Sequence, residues 1–128
     1  MKKTELHTDM APAAVGPYSQ GIRMGNLIFV SGQLGIDPAQ KKMVEGGVEA
    51  QARQIFKNIA AVLATAGAGL DHVLKATVFL KDMADFKTVN AVYETAFQKP
   101  FPARSAFSVK QLPLDADVEI EVIAGLEK

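Results

Sequence analysis

The chain has 128 residues, 48% of them apolar and 22% charged, with 14 basic and 14 acidic side chains and no cysteine. That length suits a single domain over residues 1–128 with its own core, and the balanced charge argues against a nucleic-acid partner, which calls for a basic footprint. The missing thiol excludes disulfides, thiolate metal ligands and a cysteine nucleophile; MKKTELHTDM lacks the apolar stretch of a signal peptide, and no apolar run is long enough to span a bilayer, so no membrane partner and a cytoplasmic protein are expected.

An extra strand is expected near Lys3–His7. Ile22–Met24 and Leu27–Ser31 flank Gly25-Asn26, the pattern of a hairpin with a two-residue turn. Gly32, Gly35, Asp37 and Pro38 then break the second strand into a loop. From Val48, apolar residues recur at Ala52, Ile55, Phe56, Ile59, Val62, Leu63 and Ala66, one stripe at helical period, which Gly67 and Gly69 end. His72–Lys81 reads as a strand with Leu74, Ala76, Val78 and Leu80 on one face and Val73, Thr77 and Phe79 on the other. Asp82 is placed as an N-cap, with Asp85 three residues on approximating a capping box. The second helix turns Phe86, Val89, Tyr93, Ala96 and Phe97 inward, and Pro100 and Pro102 forbid its continuation. Strands at about Ser105–Val109 and Asp117–Leu126 close the chain.

This order predicts a sheet with helices on one side. Leu27–Val30 and Val73–Leu80 are apolar on both faces, and two helices cover only one. A second copy is the simplest cover for the other.

Several residues could bear chemistry. Arg104 stands at a proline-marked boundary between loop and strand; its guanidinium fits a carboxylate with two parallel bonds, or it is an ordinary surface arginine. Glu119 and Glu121 share one strand face, either as solvated acids or with one of them holding a water and exchanging a proton. Their mutual repulsion tends to raise one pKa. Tyr18, in GPYSQG, forms a pocket wall or simply packs. Ser31 and Gly32 offer a small hydroxyl and an approachable backbone, without the spacing of a nucleophile elbow. Asn90 lies between the apolar positions of the second helix. His7 and His72 have no ligand spacing, so no metal site is expected.

The segments APAAVGPYSQG, VSGQLG, TVFLKDMADFKTVNAVYE, FPARSAFSV and VEIEVIA occur in this order along nearly the whole chain. Together they resemble the Rid (YjgF) family, most closely its RidA branch. The resemblance implies an α+β fold like the chorismate mutase of bacilli: a mixed β-sheet with two helices on one face, assembled as a homotrimeric barrel with sites between subunits. It implies hydrolysis of enamines and imines such as 2-aminoacrylate and 2-iminobutanoate to 2-oxo acids and ammonia, with no cofactor. By motif, Arg104 would grip the substrate carboxylate and Glu119 would stand near the attacking water. Tyr18 would line the pocket from the adjacent subunit, with Ser31, Gly32, Asn90 and Ala106 around the substrate. Ala106 replaces a cysteine frequent in RidA proteins, which removes thiol chemistry but leaves a main-chain contact. Arg104 and Glu119 are then expected to converge in one crevice shaped by two protomers. The rival readings are a non-catalytic 2-oxo-acid-binding regulator or chaperone-like member, and a ribonuclease or translation inhibitor.

Overall fold

A computed structural model describes residues 2–127. In chain order its elements are β1 (Thr4–Leu6), β2 (Gly21–Met24), β3 (Leu27–Gln33), β4 (Ile36–Asp37), β5 (Lys42–Met43), α1 (Gly47–Ala64), β6 (Val73–Leu80), α2 (Phe86–Ala96), β7 (Ala103–Ser108) and β8 (Val118–Gly125). Six strands form one mixed sheet in the order β1-β2-β3-β8-β6-β7, and β4 and β5 form a small separate hairpin. All neighbours in the large sheet are antiparallel except β6 and β7, which run parallel. Parallel neighbours need a crossover; α2 supplies it.

The hairpin forms where Gly25-Asn26 predicts it, joining β2 to β3. Only Gly25 takes a positive φ there, 61°. The stripe on α1 buries Ala52, Ile55, Phe56, Ile59, Val62 and Leu63. The helix closes around Gly67: Ala68 N–H donates to the Leu63 carbonyl and Gly67 N–H to that of Ala64, the paired bonds of a Schellman motif. Two buried amides fix α1 over the sheet. Asn58 Nδ2 donates to the carbonyls of Leu34 and Ile36 at 3.2 and 3.0 Å. Gln51 Oε1 accepts from Asp117 N–H at 2.9 Å, beside the start of β8. Against this layer β6 and β8 turn Ala76, Val78, Leu80, Val118, Ile120, Val122 and Ala124, all buried. Each large aliphatic chain so buried contributes about 1.5–3 kcal/mol.

Four expectations are corrected. Leu74 does not share a face with Ala76. The β6–β8 register slips between Val73 and Lys75, so Val73 turns inward and Leu74, the extra residue of a bulge, is exposed; one inserted residue reverses facing. Gly32 does not end β3, which continues through Gln33 with its own slip between Val30 and Gln33. β7 starts at Ala103, so Arg104 lies inside a strand. Asp82 caps a short 3₁₀ turn through Ala84 N–H at 2.9 Å, whereas Asp85, the N-cap of α2, makes no side-chain capping bond.

The face away from the helices stays open. Leu27, Phe29, Leu74 and Phe107 are exposed on it, and Phe79 meets Phe107 edge-on at 5.5 Å between ring centres.

Candidate functional site

Strand register decides which candidates meet. On β7, Arg104 and Ala106 pair with Ala76 and Val78 of β6, so both side chains turn toward the helices. On β8, Glu119 pairs with Phe79 and turns to the open face. Within one chain Arg104 and Glu119 therefore lie on opposite faces of the sheet, out of reach of one small molecule. The candidates fall into two groups.

The first is built on α2. Phe86, Asn90 and Tyr93 stand at i, i+4 and i+7, one stripe along the helix. The Arg104 guanidinium lies against it, 5.3 Å from the Phe86 ring centre and 4.7 Å from that of Tyr93. Its Nη1 donates to Asn90 Oδ1 at 2.6 Å. Two rings and one amide oxygen thus fix a cation that remains exposed, with donors left over for an anion. Ala106, half-buried, packs against the core two residues along. Tyr93 is 5% exposed, and its buried hydroxyl has no hydrogen-bond partner among the described residues. Burial pushes the phenol pKa up, and Arg104 pulls it back.

The second group surrounds the slip in β3. A Cβ at Gly32 would overlap Glu119 Oε2 and come within 3.0 Å of Cδ. The carboxylate lies over this glycine because nothing occupies its side-chain position. Burial raises the Glu119 pKa above the ordinary carboxylate value, and repulsion from Glu121 raises it further. Repulsion between the two acids is the cause the alternation suggested; burial is the larger one. Ser31 is already engaged: its N–H donates to the Gln20 carbonyl at 3.0 Å and its hydroxyl to that of Ser19 at 2.6 Å. Tyr18, on the segment so tethered, is exposed and plays no part in the core of its own chain.

The sequence marks Phe86 and Tyr93 as inward-facing residues only; their i, i+4, i+7 spacing around Asn90 is the signal that they also seat Arg104. No residue pattern pointed to Gln20. Two shallow grooves between α1 and α2, of about 330 and 440 Å³, hold none of the candidates. Among the described residues no cluster of three or more His, Cys, Asp or Glu could hold a metal, and no helix is long and apolar enough to cross a membrane.

The family model described as endoribonuclease L-PSP matches residues 8–126. The chain is 49% identical over 126 residues to the Reactive Intermediate Deaminase A, chloroplastic, of Arabidopsis thaliana, covering 98% of this chain and 67% of that protein. It is 48% identical over 119 residues to the 2-iminobutanoate/2-iminopropanoate deaminase of Mus musculus, covering 93% and 88%. The fold superposes on the crystal structure of RidA from the Antarctic bacterium Psychrobacter sp. PAMC 21119 with a TM-score of 0.93 at 45% identity, covering 96% of this chain and 99% of that one.

Proposed function

This chain belongs to the family described as endoribonuclease L-PSP, in its RidA branch, and from that premise we propose that it is an imine deaminase. It hydrolyses 2-iminobutanoate, 2-iminopropanoate and their enamine tautomers to 2-oxo acids and ammonium. Two observations support this reading: an exposed guanidinium seated by Asn90, Phe86 and Tyr93, and a half-buried acid resting over Gly32 on the other face.

Arg104 binds the substrate carboxylate through two parallel bonds and so fixes the imine carbon. Glu119 holds the attacking water and takes its proton as the C–O bond forms. With the imine protonated at the start, Glu119 returns that proton to the carbinolamine nitrogen. The C–N bond then breaks as the hydroxyl gives its proton to Glu119 and the carbonyl closes, and the ammonia set free takes up that proton and departs as ammonium. A carboxylate whose pKa is raised by burial holds and returns a proton more readily than an ordinary one and is suited to both transfers, which are typically worth ~10²–10⁴-fold. Tyr18 walls the pocket, and main-chain groups at Gly32 and Ala106 complete it. The domain is the whole chain, 1–128.

Since the two groups occupy opposite faces, the reading places Arg104, Asn90 and Ala106 of one subunit against Tyr18, Ser31, Gly32 and Glu119 of the next. It includes a homotrimer whose open sheet faces pack together, and a cytoplasmic setting.

The test generates the imine in situ with a pyridoxal-phosphate threonine dehydratase and follows 2-oxo acid release. The wild-type protein accelerates release. Arg104→Ala and Glu119→Gln are each inactive alone, and refolding them together restores part of the rate through interfaces that join two intact halves. A wild-type protein that leaves the rate unchanged, or cleaves RNA instead, refutes the assignment. A failure of complementation refutes the two-subunit site only.

A further inference from the structure

We propose that Gln20 is a positioning residue: its buried side chain shapes the arm formed by residues 8–19 and fixes Tyr18 relative to Glu119. This deepens the reading of the site given above and rests on it.

Gln20 is 2% exposed, immediately before β2. Its Oε1 accepts from Thr8 N–H at 2.8 Å. Its Nε2 donates to the carbonyls of Thr8, Ala11 and Pro12 at 3.0, 3.3 and 2.8 Å. Two N–H groups thus serve three acceptors, one of them shared. A single side chain clasps the base of the arm at three residues, eight to twelve positions away in sequence. The backbone continues the clasp: the Gln20 carbonyl and the Ser19 carbonyl accept the N–H and hydroxyl of Ser31. Ser31 adjoins Gly32, on which the Glu119 carboxylate rests. An unbroken line of contacts therefore runs from the arm to the acid.

Hydrophobic burial does little to shape this arm. Val15 is 90% exposed, and Met10 and Tyr18 are open as well; only Ala11 is buried. A buried amide is costly unless its bonds are made, and a fully satisfied one rigidifies what it touches. Here it rigidifies a segment that lacks other support, and that segment bears Tyr18.

Gln20→Met keeps the length and removes the amide. In the assembled protein it should speed hydrogen exchange at the amides of residues 8–19 while β6 and β8 keep their protection. It should raise KM for the imine roughly tenfold with kcat nearly unchanged, below the ~10²-fold that an ångström-scale misplacement can cost. In a Tyr18→Ala background the same substitution should add no further loss. An unchanged KM, or losses that multiply independently of Tyr18, overturns the proposal. If Gln20→Met does not fold, Gln20→Asn keeps an amide but draws it back from Thr8, Ala11 and Pro12, and the same KM shift and the same dependence on Tyr18 decide. Were the wild-type protein inactive, the functional reading would fall, and exchange at the arm amides would still show whether Gln20 holds it.

Discussion

On the helix side of β6 and β8, Ala76, Leu80, Val118 and Ile120 are wholly buried. On the opposite face of the same sheet, Phe29 of β3 is 43% and Phe107 of β7 45% exposed. Both sets are apolar, and α1 and α2 shield only the first. The contrast separates two jobs. The covered face holds the chain together, while the open face is apolar and exposed, the kind of surface that usually marks an interaction site. The site divides along the same line, with Arg104 turned to the covered side and Glu119 to the open one.

Substitutions on each side should then fail differently. The largest effect belongs to Arg104→Ala: kcat/KM should fall by ~10²-fold or more with the assembly intact, since a charge-assisted pair of bonds to the carboxylate is lost; steady-state kinetics beside sedimentation check both halves of the statement. Phe29→Glu puts a charge at the centre of the open face. Sedimentation should show monomers, and activity should drop with the mass while the circular dichroism of the monomer stays folded. Gly32→Ala displaces the Glu119 carboxylate and should cost about tenfold in kcat, with a smaller loss when Glu119→Asp shortens the acid in the same chain.

The smallest effect concerns pH. Burial raises the folded-state pKa of Glu119. The charged form is therefore disfavoured by folding: stability is fullest below the ordinary carboxylate pKa and declines as pH rises through the raised value. Glu119→Gln should melt ~1–2 °C higher at neutral pH, a gain limited by solvent screening of a half-exposed group. The gain should vanish in acid. A difference that grows on acidification would reverse the sign of the argument.

Periodicity made the helices, the hairpin and the doubly apolar strands legible, because each of those features repeats over many residues. The slips in β3 and β6 were not. A bulge is one added residue with no compositional mark, yet it turned Leu74 outward and placed Gly32 beneath Glu119. The parallel pairing of β6 with β7 is likewise a matter of topology, and it set the face that Arg104 occupies. Arg104 and Glu119 were singled out by chemistry and motif. Their opposite orientation needed the register, and the clasp at Gln20 needed coordinates, since its partners lie eight to twelve residues away.

The division of the site between two sheet faces has a consequence for dosage. In the proposed assembly an isolated chain is inert however well it folds. Turnover should climb more steeply than linearly with protein abundance at high dilution, then become proportional once association saturates. A substitution on the apolar face, remote from every reacting group, would then act as a dimmer on the chemistry by shifting that threshold.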